Sequence, residues 1–218
     1  MLKIYGLYRS RATRNIWLCD ELGVPFTLVP VIQSDRAASP GAAGIALNSK
    51  SPEFLKINPN GHIPSIDDDG LILHESLAIN LYLAKKHGGS LAPATIAEDG
   101  LMMTWTAWAL TEVEPRSIQI LYNRVAKPVD QRDPKAADAA EAALKAPFAV
   151  LDKALAATGY VVGGRFTVVD INIAECVRYA AAAPNLFEAN PNVKTWLAKV
   201  QARPAFKAMM AKRDLEPA

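Results

Sequence analysis

Residues able to stabilise charge are concentrated in the first third of the chain. Ser10 stands four residues before Arg14, at the expected start of a helix. A hydroxyl there combines a hydrogen-bond donor with the positive end of the helix dipole, which suits an anion. Ser76 is expected in the first turn of a second helix, where unpaired backbone N–H groups also favour an anion, and Glu75 before it can pair with a cation. Taken alone, Glu75 and Ser76 would more simply be explained by ordinary helix capping.

Short elements of alternating type position these residues. Runs of strand-forming residues flank a helical pattern that ends at Gly23, a natural residue for a helix terminus. Further along, two apolar runs on either side of an acidic turn predict a β-hairpin followed by a helix. The predicted order is βαβ and then ββα, over residues 2–5, 13–22, 26–31, 63–66, 71–74 and 75–86.

The second half of the chain shows only helical patterns. The first of its helices should kink at Pro115, and an Ala-rich helix over 135–157 should be interrupted at Pro147. Thr167 and Asp170 have the spacing of a capping box. The fold class expected is therefore α/β plus all-α, with an α/β domain over residues 1–87, a linker over 88–96 and an all-helical domain over 97–218.

Composition and charge exclude several classes of protein. The 24 basic and 22 acidic residues give a net charge of +2, without the clustered Lys and Arg typical of nucleic-acid binding. No apolar run approaches the roughly 18 residues of a membrane span, so we expect a cytoplasmic protein with no membrane partner. Cys19 and Cys176 have no metal-ligand spacing and are expected to be buried core thiols. No metal site is expected, because the three histidines form no group with cysteines or carboxylates.

Two segments carry a family resemblance. The run Asn58–Ile66 (NPNGHIPSI) and the run His74–Ile79 (HESLAI) resemble the glutathione-site signature of the glutathione transferase family. The order of elements, the Gly-rich linker and the capping box also stand where this family has them, so the resemblance covers essentially the whole chain. It implies a thioredoxin-like N-terminal domain, an all-helical second domain, and glutathione as cosubstrate.

The resemblance implies a role for each residue of the signature. Pro64 is expected to be cis, which turns the backbone of Ile63 toward the cysteinyl part of glutathione, as in an added strand. Ser76 would hold the γ-glutamyl carboxylate, and Glu75 would pair with the ligand ammonium. His62 is either a contact to the ligand or an exposed hairpin residue.

The segment Gln33–Ser49 departs from the family pattern. It is rich in Ala, Gly, Ser and Pro, and we expect an irregular surface loop that is longer than usual at this place. The loop lies where contacts to the glycyl carboxylate are expected. Lys50, which follows it, is the candidate partner for that group.

Activation of the thiol is the decisive step. A thiol with a pKa near about 8.5 is only a few per cent ionised at neutral pH, and lowering that pKa by about two units requires about 2.7 kcal/mol. Ser10 and Arg14 match the S-x-x-x-R placement of the serine-type branch of the family, whereas Tyr5 matches the tyrosine-type branch. We favour Ser10, with Tyr8 and Thr13 as further alternatives. A third branch uses cysteine near this position, and Ser10 there disfavours disulfide chemistry.

The pocket for the second substrate is expected between the Tyr8–Thr13 loop and the first long helix of the second domain. Four residues of that helix, at spacings of three, four and four, fall near one stripe and join Tyr8 as candidates: Trp105, Trp108, Glu112 and Arg116. The alternative is that at least one tryptophan belongs to the ordinary core.

These residues favour an enzyme in which glutathione thiolate attacks a small apolar electrophile. The alternative is a non-catalytic binding or carrier protein of the same fold, against which the intact set of signature residues argues. From the resemblance we also expect a homodimer.

Overall fold

The structure is a computed structural model that describes residues 1–39 and 42–216. These residues form two compact units. The first contains Met1–Gly89 together with the chain from Arg203 onward, and the second is Ser90–Ala202. The sequence assigns the last helix to the all-helical domain, but in the structure this helix packs with the first unit.

Strands are confined to the first unit within the described part of the chain. They are β1 (Leu2–Gly6), β2 (Thr27–Ile32), β3 (Leu47–Asn48), β4 (Ser65–Asp68) and β5 (Leu71–His74). The α-helices are α1 (Thr13–Leu22), α2 (Pro52–Leu55), α3 (Ser76–His87), α4 (Ile96–Trp108), α5 (Glu114–Leu121), α6 (Pro134–Leu155), α7 (Val168–Val177), α8 (Pro184–Glu188), α9 (Pro191–Gln201) and α10 (Pro204–Leu215).

A mixed sheet in the order β3-β2-β1-β4-β5 forms the centre of the first unit. β1 pairs in parallel with β2 and antiparallel with β4, and β4 pairs antiparallel with β5. Parallel strands need a crossover, which α1 supplies between β1 and β2. The thioredoxin-like order expected from the sequence is therefore confirmed, with β3 and α2 as additions that the sequence did not predict.

Helix α1 is covered on two sides. It packs against both α3 and α10, so that every residue from Thr13 to Cys19 is buried. On the α10 side, Trp17 meets Phe206 edge to face, with ring centroids 4.8 Å apart. Gly23 ends α1 in the left-handed conformation at φ 65°, as predicted.

The stretch after β2 is more regular than the predicted loop. Ser34–Arg36 forms a 3₁₀ turn, and β3 pairs in parallel with the last two residues of β2. Pro30, which has no N–H to donate, directly precedes those two residues, and the recorded pairing with β3 begins at Val31. Pro40 and Gly41, which also belong to the predicted loop, lie outside the described residues.

The predicted hairpin is present with a shifted first strand. β4 begins at Ser65 rather than at Ile63 and runs through Asp68. The turn is Asp69-Gly70, where both residues have positive φ, 52° and 95°. Two central residues of positive φ match the twist of the flanking strands, which explains the choice of Asp-Gly.

The second unit is helical, and the two predicted proline effects differ in outcome. Pro115 lies in the first turn of α5, and a π-helical turn at Ala109–Val113 interrupts the regular helix between α4 and α5 directly before it, while the kink itself stays a prediction. A proline clashes with the carbonyl four residues earlier, here that of Thr111, and the wider π turn relieves that clash. Pro147 lies inside α6 without interrupting it, because its buried position packs in the core and tertiary contacts override propensity.

The capping box at the start of α7 is confirmed. The buried carboxylate of Asp170 accepts hydrogen bonds from the Thr167 N–H at 2.8 Å and from the Trp196 indole N–H at 2.9 Å. Burial raises the pKa of Asp170 above its ordinary value, although these donors act in the opposite direction. None of the helices in residues 1–39 and 42–216 has the length and apolar character needed to cross a membrane.

Candidate active site

Ser10 lies in the loop between β1 and α1 and is half-buried. Its hydroxyl donates to the carbonyl oxygen of Leu7 at 2.7 Å and accepts from the backbone N–H groups of Leu7 at 3.3 Å and Ala12 at 3.1 Å. The oxygen therefore sits at the N-terminal end of α1, where the helix dipole favours an anion. Its proton points at Leu7 and must turn away to serve a ligand.

The alternative hydroxyls differ in their surroundings. The Tyr5 ring is buried against Phe54, with centroids 6.3 Å apart, in a cluster of apolar side chains. Thr13 is fully buried, and its hydroxyl donates to the carbonyl oxygen of Ser10 at 3.0 Å. Tyr8, like Ser10, is half-buried. Exposure thus favours Ser10 and Tyr8 as groups that a ligand can reach.

Gly6, at the end of β1, brings Ser10 close to the Ile63-Pro64 segment. A Cβ atom placed on Gly6 would lie 3.4 Å from Ser10 Oγ, 3.9 Å from the Ile63 Cβ and only 2.8 Å from the Ala12 Cβ. Glycine is therefore required at this point, because any side chain would collide with the Ser10 loop. Ser10 and Ile63 consequently border the same small region of backbone.

A buried network joins α1 to the start of α3. Arg14, 1% exposed, donates through Nη1 to Ser76 Oγ at 3.1 Å. Within the described part of the chain, the Ser76 hydroxyl has no acceptor for its own proton, which leaves that proton for a ligand. The guanidinium charge and the N-terminus of α3 together make this position favourable for an anion.

Glu75 has an unusual backbone conformation directly before α3. Its φ is 71° and its ψ is 98°, a region that residues with a side chain rarely adopt. Its carbonyl accepts the first helical hydrogen bond, from Ile79, while its exposed side chain does not cap the helix. The geometry thus disfavours the capping interpretation, and such outliers cluster at ligand sites.

The turn before β4 presents Ile63 and His62. The peptide bond between Ile63 and Pro64 is cis, as the resemblance implies. Asn58 holds the turn, because its side-chain amide donates to the His62 carbonyl at 2.8 Å and to Ser65 Oγ at 3.2 Å. No hydrogen bond to the Ile63 backbone is found among residues 1–39 and 42–216, so its N–H and carbonyl remain to pair with a ligand. The His62 side chain is exposed, which is compatible with either of its two proposed roles.

Lys50 approaches the same turn. Its Nζ lies 3.0 Å from the place that a Cβ of Gly61 would occupy, directly before His62. Gly61 has φ 62°, and a side chain there would also collide with the carbonyl oxygen of Ser49. The glycine thus allows the ammonium group to reach the cis-proline turn, where the side chain is exposed and can meet a carboxylate.

The second-unit candidates form two contacting pairs. The rings of Trp105 and Trp108 pack edge to face, 4.9 Å apart, and both side chains are half-buried. Arg116 Nη1 lies 3.2 Å from Glu112 Oε2. The π turn, which contains Glu112, interrupts the regular helix directly after Trp108, so the single stripe expected from the spacing is not regular. Tyr8, the remaining candidate, belongs to the first unit.

Both cysteines are buried, as expected. Burial raises the pKa of the Cys19 thiol to about 12. A thiol with such a pKa is neutral at physiological pH and is a poor nucleophile. This fits the expectation that Cys19 is a buried core thiol.

Sequence reasoning missed the role of two buried amides. Asn15 donates through Nδ2 to the Ser76 carbonyl at 2.8 Å and to Asn80 Oδ1 at 2.7 Å, and Asn80 donates to the Arg14 carbonyl at 3.2 Å. These bonds lock α3 onto α1 beside the candidate site. The signal was weak, because polar residues in a helix normally indicate its solvent face.

Family models match both parts of the chain. Residues 4–91 match the model described as "Glutathione S-transferase, N-terminal domain", and residues 101–204 match "Glutathione S-transferase, C-terminal domain". Among curated proteins, Glutathione S-transferase 3 of Zea mays is 32% identical over 99% of this chain and 96% of its own length. Glutathione S-transferase GstB of Escherichia coli K12 is 34% identical over 96% of this chain and 98% of its own length.

Solved structures agree. Glutathione S-transferase III in its apo form is 31% identical, with a TM-score of 0.81 over 100% of this chain and 99% of that one. The theta class glutathione S-transferase of Xanthomonas axonopodis pv. citri, with glutathione bound, is 28% identical, with a TM-score of 0.78 over 95% of both chains. With the fold, the cis-proline turn and these relatives in agreement, the chain belongs to the glutathione S-transferase family of enzymes.

Proposed function

We propose that this enzyme binds glutathione at one end of the thioredoxin-like sheet, with its γ-glutamyl end at the start of α3. The observation that carries the proposal is the contact between Arg14 and Ser76, 3.1 Å, made by the same helix that Ser10 precedes. One helix start therefore supports both the expected thiol site and the expected γ-glutamyl site. Support also comes from the relative of Xanthomonas axonopodis, whose structure contains glutathione.

The remaining contacts follow from the side chains at hand. Glu75 pairs with the ligand ammonium, the Ile63 backbone pairs with the cysteinyl part, and Lys50 binds the glycyl carboxylate with His62 beside it. Charge favours this arrangement, since each ligand group meets the opposite charge or a complementary hydrogen-bonding group.

The Ser10 hydroxyl then donates to the thiolate of glutathione. The thiolate attacks an electrophilic carbon of a small apolar compound, for which Trp105 and Trp108 offer apolar surface. Addition, halide displacement and isomerisation all begin from this thiolate. Donation requires the hydroxyl proton to leave the Leu7 carbonyl, whose oxygen lies 2.7 Å from Ser10 Oγ.

The test is turnover of a chloronitroaromatic compound with glutathione, together with the ultraviolet band of bound thiolate. We expect measurable turnover and a thiolate band at neutral pH. Binding of glutathione without a thiolate band would contradict the proposed activation. Ser10 would then serve only to shape its loop through its bonds to Leu7 and Ala12.

We also propose that the enzyme is a homodimer. Several large apolar side chains of the described residues are exposed on both units, among them Leu71 at 45%, Leu101 at 51% and Met103 at 47%. Burial of such side chains against a second copy is favourable, and two-fold dimers are the commonest soluble oligomers.

A further inference from the structure

The loop that carries Ser10 is held from outside by Glu216. Both carboxylate oxygens of Glu216 accept hydrogen bonds from consecutive backbone amides: Oε1 from Tyr8 at 2.9 Å and Oε2 from Arg9 at 2.8 Å. The Arg9 side chain closes the contact, because its Nε donates to the Glu216 carbonyl at 2.6 Å. Three atoms on each side are thus joined by three hydrogen bonds, each of which involves a charged group.

Helix α10 makes this contact rigid. Arg203, just before α10, forms a two-pronged ion pair with Glu21 near the end of α1, at 2.7 Å for both bonds. Phe206 packs on Trp17 one turn further along. At its other end, α10 leads into Glu216, whose N–H donates to the Arg213 carbonyl. Helix α10 therefore runs antiparallel to α1 and contacts both α1 and the loop that precedes α1.

Two positively charged side chains contact the same two residues whose amides bind the carboxylate. Lys212 lies 5.8 Å from the centre of the Tyr8 ring, and Arg36 donates to the Arg9 carbonyl at 3.2 Å. Two adjacent amides with nearby cations form a small anion-binding nest. In this structure the chain's own carboxylate fills that nest.

From this geometry we infer that Glu216 is a positioning residue for Ser10, acting through the amides of Tyr8 and Arg9. The inference rests on the proposed role of Ser10 in activating glutathione. Ser10 follows Arg9 directly and bonds back to Leu7, so the segment that Glu216 holds is the one that aims the hydroxyl. When the nest is vacant, the hydroxyl is less well aimed and the thiolate loses stabilisation.

The charge of Glu216 and its positioning role predict opposite changes in the pKa of the bound thiol, so the two can be told apart. A nearby negative charge disfavours a thiolate, so removal of that charge alone would lower the pKa of the bound thiol. Loss of positioning has the opposite effect and raises it. We therefore expect Glu216→Gln and Glu216→Ala to raise the pKa of bound glutathione thiol, measured from its ultraviolet band against pH.

The same variants should slow turnover at neutral pH by about three- to tenfold, which corresponds to a pKa increase of about half to one unit. KM for glutathione should change by less than about twofold, because the ends of the tripeptide bind elsewhere. Glu216→Gln is the sharper variant, since it keeps the volume but turns an amide NH₂ toward a backbone donor. Asp214→Asn is the matched control: its exposed carboxylate pairs with neighbouring Arg213, and we expect wild-type behaviour.

Acetate offers a second readout. In Glu216→Ala, acetate should occupy the vacant nest, bring the raised thiol pKa part of the way back to its wild-type value and recover part of the turnover. Wild type and Asp214→Asn should not respond to acetate. Melting temperatures of all variants identify any general loss of structure. A lowered or unchanged thiol pKa in the Glu216 variants would overturn the inference, whether or not turnover falls.

Ser10→Ala separates this inference from the proposed function. If Ser10→Ala raises the thiol pKa while the Glu216 variants do not, the inference about Glu216 is wrong and the proposed function stands. If Ser10→Ala leaves the thiol pKa unchanged, the assignment of Ser10 is wrong, and the inference fails with it.

Discussion

The Ser10 hydroxyl exchanges one acceptor for another when it activates glutathione. In this structure it donates to the Leu7 carbonyl, so the net stabilisation of the thiolate is the difference between a charged and a neutral acceptor. The thiolate is the better acceptor, because hydrogen bonds to ions are roughly twice as strong as those between neutral groups. The two amides that donate to Ser10 Oγ, those of Leu7 and Ala12, keep the oxygen in place during the exchange.

Ser10→Ala should therefore raise the pKa of bound glutathione and slow turnover by about ten- to a hundredfold at neutral pH, since a hydrogen bond to a charged group contributes about 1.5–3 kcal/mol. Turnover should recover in part near pH ~9, where bulk base ionises the thiol. Steady-state kinetics against pH measure both effects.

Tyr5→Phe is the control for the Ser10 prediction. Its ring is buried beside Phe54, so loss of the hydroxyl should change turnover little. The opposite pattern, a slow Tyr5→Phe with an unimpaired Ser10→Ala, would place the enzyme in the tyrosine-type branch.

Glu75 combines a proposed ligand contact with a costly backbone conformation. A residue with a side chain at positive φ costs about 1–3 kcal/mol, which glycine avoids. Glu75→Gly should raise the melting temperature of the unliganded protein, whereas Glu75→Ala should not. Both variants should lose most of the stabilisation that glutathione confers by binding the folded state, measured as the change in melting temperature with ligand.

Glu53→Ala is the matched control for Glu75. Glu53 is also exposed and stands in the first turn of a helix, α2, so its removal should leave the response to glutathione unchanged. An unaltered glutathione response in Glu75→Ala would show that the γ-glutamyl end has been placed wrongly.

Among the elements, the entry into α4 depends on one side chain. Arg165 donates to the carbonyl oxygens of Ser90 at 3.1 Å and Ala92 at 3.0 Å, and it forms an ion pair with Glu98 at 2.8 Å. Gly163 makes room for this arrangement, because a Cβ there would collide with the guanidinium. Arg165 therefore ties the segment before α4 to the loop before α7.

This tie should appear in the acid stability of the protein. Hydrogen bonds from Arg165 lower the pKa of Glu98 from 4.5 to about 2. A lowered pKa in the folded state means that the stabilisation is complete above pH 4.5 and is lost as the pH falls toward 2. Between pH 4.5 and about 2, the melting temperature of wild type should therefore fall by more than that of Glu98→Gln, as measured by thermal scans at a series of pH values.

Asp214→Asn serves as the control in the same scans, because its carboxylate is exposed and its ion pair with Arg213 is local. It should follow the wild-type curve. Parallel curves for wild type and Glu98→Gln would contradict the stabilising role of the Arg165 pair.

For the molecule as a whole, the association state is the main prediction. We expect sedimentation equilibrium at micromolar concentration to give twice the 23.5 kDa chain mass. Leu101→Lys combined with Met103→Lys should dissociate the dimer, because a charge on an apolar interface is costly to bury.

Leu215→Lys is the control for the association experiment. Leu215 lies at the end of α10 and is not among the side chains proposed for the interface, so a single charge there should leave the dimer intact. A monomer in the wild-type experiment would end the proposal of a dimer.

Prediction from sequence succeeded where the signal was local. The cis-proline turn, the hairpin, the capping box at Thr167 and the stop at Gly23 all rest on short motifs, and the structure contains each of them. Contacts between distant segments left no such signature. Glu216 reads in the sequence as an ordinary exposed acid, and only the packing of α10 on α1 brings it to the Ser10 loop.

Buried polar residues were the second source of error. Arg14 and Asn15 lie in a helix that is covered on two sides, so polarity no longer marks the solvent face. The prediction that Pro147 interrupts its helix was wrong for a related reason. Packing around Pro147 keeps it inside α6, and such packing is not visible in a short window of sequence.

The two buried cysteines can report the local opening of the two units, one in each. Cys19 lies on α1 in the first unit and Cys176 on α7 in the second, and both are inaccessible in the folded state. An alkylating reagent can modify each one only while the surrounding helices are transiently apart. The labelling rates at the two positions, separated by peptide mass spectrometry, therefore follow the opening of each unit independently, and the wild-type chain needs no substitution.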